Sequence, residues 1–292
     1  MKLFFQSLFL YVIAFGTPTF ASDIQTTTIG DYLQTESVTH NGNQIPLVIY
    51  SSHKGQEPDH RFLIQGGLHG NETLTTEFVS WLAQSMVKDS TPLLNTIKFE
   101  IHFVPSANPD SLGVSRYNQN EVNLNRNFSV LWGISKEPTG SHAFSEPETR
   151  AIKGLMEKHQ YLASIDVHGY VNWIVTPTNL SKVDSIKAKR LAQKYQRWTQ
   201  TVQKRTTEHF PKYKIKSAGS LGDGGAFEDW AFWQQGSMSI CLEMFTHTRY
   251  VKNGRSYIDT FDNYKNYILR LFADAVVIDN TVNKTIAIAK NP

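Results

Sequence analysis

The stretch Arg61-Phe-Leu-Ile-Gln-Gly-Gly-Leu-His69-Gly-Asn-Glu72 restricts the folds open to this chain more than any other. Its short apolar run reads as a buried strand and its two glycines permit a sharp turn. Phe78, Trp81, Leu82 and Met86 then follow at helical spacing between Thr73 and Lys88. Strand, turn and helix in that order build an α/β sheet, and the turn lies at the carboxyl end of the strand, where such sheets form their sites. His69 and Glu72, three residues apart, present an imidazole nitrogen and a carboxylate oxygen to the same side, which is half of a zinc site. Taken alone, the pair is equally a helix N-terminus carrying an incidental histidine.

Two later runs repeat this grammar. Tyr161-Leu-Ala-Ser-Ile-Asp-Val-His168-Gly-Tyr170 is apolar and ends in a histidine beside a glycine, and Ser237-Met-Ser-Ile-Cys-Leu-Glu243-Met-Phe245 carries a carboxylate near its end. A glutamate inside such a run is costly unless it is used or paired. Three strands therefore end in His69 with Glu72, His168, and Glu243. Two imidazoles and a carboxylate would hold one zinc ion with a position left for water, and a further carboxylate would take that water's proton. The pattern is neither H-E-x-x-H nor H-x-x-E-H, because Thr73 follows Glu72.

The segments between carry less. Residues 26–50 suggest one or two hairpins at a sheet edge. The strand Ile97–Val104 alternates strictly, so His102 inside it reads as structural. Arg116 to Phe128 is rich in Asn and Arg, offering many directed donors, although composition alone favours a solvated loop. Ser145-Glu-Pro-Glu148 fits a capping box, with Ser145 as N-cap and Glu148 reaching back, so these acids are assigned to helix initiation. Residues 182–209 form a long amphipathic helix with a basic solvated face. Gly219–Gly225 is a glycine-rich loop that does not follow a strand, which argues against dinucleotide binding. A short helix opens at Ala226, and residues 261–277 form the last helix.

Met1-Lys2, an apolar run from Leu3 to Phe15, and Gly16-Thr-Pro-Thr-Phe-Ala21 read as a signal peptide (1–21), too short for a comfortable membrane span. Residues 22–292 then form one catalytic domain that is secreted or periplasmic, with no stable membrane anchor after signal removal. The formal charge of +3 comes without a basic stripe, which leaves no case for nucleic acid and points to a small substrate. Cys241 is the only cysteine, so no intrachain disulfide forms and the core must hold itself together. Export without disulfides suits a bacterial periplasm slightly better than a eukaryotic extracellular space.

Gly66-Gly-Leu-His69-Gly-Asn-Glu72, Asn108-Pro-Asp110, Asn123-Leu-Asn125-Arg126-Asn-Phe128, Gly140-Ser-His-Ala-Phe-Ser-Glu-Pro-Glu-Thr149, Ser164-Ile-Asp-Val-His168 and Asp229-Trp230 with Glu243 occur in that order. Together they resemble the zinc metallocarboxypeptidases of the carboxypeptidase A type, nearest in pattern to the compact bacterial murein peptide amidases. The resemblance implies an α/β fold, a three-layer α/β/α sandwich with a mixed, twisted central sheet. It implies zinc ligands at His69, Glu72 and His168, a general base at Glu243, and an oxyanion-stabilising arginine at Arg116. It also implies a clamp for the substrate's terminal carboxylate at Asn125 and Arg126, and hence a peptide substrate with a free carboxylate. Three positions depart from the family pattern. Asn123 stands where an aspartate usually orients a zinc-bound histidine, which should lower ligand basicity. Leu221 stands where a substrate-capping tyrosine is usual, with Tyr213 a distant substitute. Glu228 falls where relatives set side-chain preference and would favour a cationic group, such as diaminopimelate or a C-terminal Lys or Arg; equally, it is an acid in a helix's first turn. The competing expectations are an N-acyl amino acid deacylase of the succinylglutamate desuccinylase or aspartoacylase type, and an inactive binding module on the peptidase scaffold.

Overall fold

The computed structural model describes residues 25–27, 43–53, 55–88, 97–181, 186–245 and 257–290; the signal-peptide reading of residues 1–21 falls outside them. The strands are β1 (Gln25–Thr27), β2 (Val48–Ser51), β3 (His60–Gly66), β4 (Phe99–Val104), β5 (Ala163–Gly169), β6 (Trp173–Thr176), β7 (Lys214–Ser217) and β8 (Met238–Met244). They form one eight-stranded mixed sheet in the order β1-β2-β4-β3-β5-β8-β6-β7. Its centre, β4-β3-β5-β8, is parallel, while β2 and β6 run antiparallel to their inner neighbours and β1 pairs antiparallel with β2 at the edge. From β3 the chain moves to β4 on one side and then to β5 on the other. The carboxyl ends of β3 and β5 therefore flank the point where connections diverge, and a crevice forms there.

Period-two alternation gives the central strands two different faces. In β5, Ala163, Ile165 and Val167 point one way and Ser164, Asp166 and His168 the other; β8 repeats this with Met238, Ile240, Leu242 and Met244 against Ser239, Cys241 and Glu243. The apolar face is covered by helices α1 (Thr73–Lys88), α3 (Ile186–His209) and α6 (Tyr257–Lys290), through Phe78 and Leu82, Trp198 and Val202, and Tyr267, Ile268 and Phe272. The other face packs under α2 (Pro147–His159) and α5 (Phe227–Trp233) through Ile152, Leu155, Phe227 and Trp230. Helices thus cover both sides of a mixed sheet, which is the three-layer sandwich expected. Among the described residues no helix is long and apolar enough to cross a membrane.

Several local expectations differ from the structure. Helix α2 begins at Pro147 with Glu146 as N-cap and no side-chain cap hydrogen bond, so Ser145 and Glu148 form no capping box. The Ser145 hydroxyl instead donates to Glu146 Oε1 at 2.6 Å and accepts from Asn127 Nδ2 at 2.9 Å, while Glu148 accepts from Asn118 Nδ2 at 3.2 Å. Helix α6 continues past Val277 because Ile278 and Val282 prolong its buried stripe. Part of the glycine-rich loop closes into the single helical turn α4 (Ala218–Leu221). His102 is fully buried, with Nδ1 2.6 Å from the Tyr161 hydroxyl, in keeping with a structural role.

The Phe62 and Phe272 rings stack at 4.3 Å between centroids and lock α6 onto β3. Replacing Phe272 by alanine should lower unfolding free energy by about 3–5 kcal/mol, read from the urea midpoint. A loss below about 1 kcal/mol would show that α6 does not anchor the sheet.

Candidate metal centre

Two glycines position His69 and Glu72. Gly67 has φ +66°, which turns the chain out of β3, and a side chain at Gly70 would place its Cβ 2.1 Å from the Ser111 carbonyl oxygen. Glu72 N–H donates to His69 O at 3.1 Å, closing a turn that carries both side chains to the same side before α1 begins. His168 arrives from the end of β5, directly across the ladder from Glu243 on β8.

The outer nitrogens of both imidazoles are fixed from behind. His168 Nε2 lies 2.8 Å from Asp166 Oδ2, an oxygen that accepts, so Nε2 carries the proton. His69 Nε2 lies 3.0 Å from Asn123 Oδ1, which also accepts from Asn125 N–H at 2.9 Å. Both Nδ1 lone pairs therefore face inward, 3.0 Å apart, with Glu72 Oε1 2.8 Å from His69 Nδ1 and Glu72 Oε2 3.1 Å from His168 Nδ1. One ligand atom from each of His69, Glu72 and His168 lies within 4.8 Å of the others, and all three residues are buried. Two lone pairs and a carboxylate converging at these distances repel one another unless positive charge, a metal ion or a proton, lies between them, and two His with one Glu is a donor set suited to Zn²⁺. The titrations show the same demand for positive charge among these side chains, which a proton on His168 Nδ1 answers when no metal ion does. Burial pulls Glu72 up, yet the His168 and His69 imidazoles hold it far below the usual carboxylate range. Burial pulls His168 down, yet Asp166 and Glu72 raise it well above the ordinary imidazole value.

Glu243 and Arg116 border this centre. Burial pushes the Glu243 carboxyl up to about 7 against the pull of His168, and its Oε2 has no hydrogen-bond partner among the described residues. Arg116 Nη1 lies 3.1 Å from His69 Nδ1 and donates to Glu72 Oε1 at 3.3 Å. Asn125 and Arg126 are adjacent and buried rather than solvated. Asn125 Oδ1 accepts from Phe227 N–H at 2.7 Å. Arg126 Nη2 donates to Asp223 Oδ1 at 2.5 Å and to Glu137 Oε1 at 3.2 Å.

Three acids here were not singled out from the sequence. Asp166 was recoverable, because it shares a strand face with His168 two residues on. Glu137 and Asp223 sit in loops without periodicity and carry no such signal. A cleft of about 570 Å³ opens elsewhere, at the amino ends of β3 and β5, lined by Arg61, Lys158, His159, Arg190 and Lys194. Its Arg61 and Lys194 are already paired with Glu57, Glu100 and Asp279, and it touches none of the residues above.

Glu228, in the first turn of α5, is 2 % exposed, and its Oε2 has no partner among the described residues. Burial, with Asp229 close by, pushes its carboxyl up to about 8. Asp229 faces away, accepting from Thr178 N–H at 2.5 Å and Thr178 Oγ1 at 2.7 Å. Tyr213 is taken up by the core, its hydroxyl 2.7 Å from that of Tyr264, and Leu221 packs near Val175 and Cys241. The unfolded chain releases the Glu228 proton near the ordinary glutamate value while the folded chain keeps it. The unfolded state therefore binds fewer protons in between, and this residue makes stability fall from about pH 5 to pH 8. Glu228→Gln should remove that part of the fall, so the variant's gain over wild type in urea midpoint should grow across this window; a pH-independent difference would contradict the buried neutral acid.

The family profile described as zinc carboxypeptidase matches residues 27–268. Carboxypeptidase D of Mus musculus is 25% identical over 224 residues, covering 66% of this chain and 16% of that protein. Carboxypeptidase B of Helicoverpa zea is 26% identical over 199 residues, covering 58% of this chain and 46% of that protein. The chain thus spans less than half the length of these relatives. Among solved structures, carboxypeptidase A from Helicoverpa armigera superposes with a TM-score of 0.63 at 18% identity, covering 87% of this chain and 69% of that one, a likeness of fold. The profile match spans β1 to α6 and includes every residue of the buried His-Glu-His group, and on that extent the chain belongs to the zinc carboxypeptidase family.

Proposed function

We propose that this protein is an exported zinc-dependent exopeptidase that hydrolyses the peptide bond next to a terminal carboxylate. The observation that carries the reading is the convergence of His69 Nδ1, His168 Nδ1 and the Glu72 carboxylate beside Glu243. His69, Glu72 and His168 would hold one Zn²⁺, which when bound supplies Lewis acidity to the scissile carbonyl and to water. Glu243, poised near neutrality, takes the water's proton and later passes it to the leaving amine. Arg116, half-exposed at the rim, donates toward the oxygen on which negative charge develops. Arg126 offers its planar guanidinium to the substrate's carboxylate, with Asn125 holding the adjoining backbone to α5. Glu228, in the first turn of α5 and held neutral by burial, would give up its proton beside a cationic side chain and so favour one, as in a murein peptide ending in diaminopimelate or a peptide ending in Lys or Arg. The apolar amino-terminal stretch supports release outside the cell.

Glu243→Gln preserves shape and removes the base. The variant should bind zinc as the wild type does and lose at least about a hundredfold in kcat on a short peptide. Full turnover by that variant would sink the mechanism. The same assay on an amidated peptide should give no product, whereas rapid release of an acyl group from an N-acyl amino acid, with no peptide cleavage, would favour a deacylase.

A further inference from the structure

The two histidines of the metal centre are supported differently. Behind His168 stands a carboxylate in direct contact, Asp166. Behind His69 stands only the neutral amide of Asn123. That amide is not left alone: its Nδ2 donates to Glu137 Oε2 at 2.7 Å. Glu137 also accepts from Arg116 Nε at 3.3 Å on the same oxygen and from Arg126 Nη2 at 3.2 Å on the other. Although burial pulls it up, Asn123, Arg116 and Arg126 hold its carboxyl below the usual range, so it is an anion.

A primary amide is nearly symmetric in shape and opposite in chemistry at its two ends. Reversed, Asn123 would set its oxygen against the Glu137 carboxylate and its NH₂ against the Asn125 backbone N–H. It would also face His69 Nε2 with a donor, which forces the imidazole proton onto Nδ1, the atom that must be bare to bind metal. An anion can only accept and a backbone N–H can only donate, so Glu137 and Asn125 N–H together select one orientation. We propose that Glu137 is a positioning residue of the metal centre, acting through the Asn123 amide to hold His69 in the tautomer whose Nδ1 faces the ion. This rests on the zinc reading given above. Both histidines then have a carboxylate behind them, one in contact and one relayed through a single amide. The relay also explains how the chain tolerates Asn123: an aspartate there would stand 2.7 Å from a second carboxylate.

The test is zinc affinity, measured on the full protein by competition with a chromophoric chelator, alongside urea stability. Glu137→Gln should weaken zinc binding about tenfold or more with the fold intact. Adding Asn123→Asp to that variant moves the charge directly onto His69 and should return affinity to within about threefold of wild type. Asn123→Asp alone, with Glu137 in place, should not improve binding. In the metal-free proteins, the nitrogen chemical shifts of His69 should report the Nε2–H tautomer in wild type and in the double variant, and a mixture in Glu137→Gln. A residue that merely braces the loop would lower stability without moving the tautomer, and the charge transfer would restore nothing. Zinc affinity of Glu137→Gln within about twofold of wild type, or a double variant as weak as the single one, would overturn the proposal. His168→Ala separates the two readings: if it abolishes zinc binding while Glu137→Gln leaves it intact, only the relay fails; if it binds zinc like wild type, the metal centre itself is misassigned.

Discussion

The parallel register of β3, β5 and β8 is the constraint on which the rest of the molecule depends. It sets His168 opposite Glu243 and Gly66 opposite Val167, so the turn carrying His69 and Glu72 leaves the sheet beside both. A slip of one residue would turn His168 and Glu243 to the face occupied by Phe272 and bring Val167 and Leu242 to the site. What prevents the slip is the packing of the opposite face, where Phe62, Ile165 and Ile240 are completely enclosed by helices. The chemical face is thus registered by residues that take no part in chemistry, and the hydrophobic effect does the positioning.

Charge is handled by local pairing. Glu72, Glu137 and Asp223 are matched by Arg116, Arg126 and the two imidazoles within hydrogen-bond distance, whereas Glu228 has neither an arginine nor an imidazole so placed among the described residues, and burial pushes it toward the neutral form instead. Buried ions are tolerated when paired and hydrogen-bonded; otherwise they are neutralised. The asparagines serve this arrangement. Asn118, Asn123 and Asn127 each accept at one end and donate at the other, and Asn118 alone joins Val122 N–H to the carboxylates of Glu146 and Glu148. A loop whose composition suggests solvation is in fact interior at Asn118 and from Val122 to Phe128, with its amides supplying the partners that water would otherwise provide.

The difference between what was legible in the sequence and what was not follows from range. His69, Glu72, His168 and Glu243 each end an apolar run, and a run of alternating residues declares both its strand and the side on which its last residue falls. Asp166 was legible by the same alternation. The capping box failed because Ser145 and Glu148 found distant partners, Asn127 and Asn118, that outcompete a helix N-terminus. Glu137 and Asp223 acquire meaning only when loops 11 and 97 residues from Arg126 close around it, and no local pattern marks such closure. The long last helix was underestimated because its stripe beyond Val277 is sparse, resting on Ile278 and Val282.

The charge of Arg126 is already matched within the folded chain. Three of its five N–H groups are taken by Asp223, Glu137 and the Asn125 carbonyl, and the buried Nε has no partner among the described residues. Under the proposed function, a substrate carboxylate arriving there does not fill a vacant cationic socket; it competes with internal carboxylates for the same guanidinium charge. Such competition leaves the net attraction small. The ground-state complex is therefore shallow, and discrimination passes from attraction to fit, favouring ligands whose remaining atoms compensate the internal acids. A terminal residue that brings its own ammonium group would do so, giving Asp223 a second cationic partner.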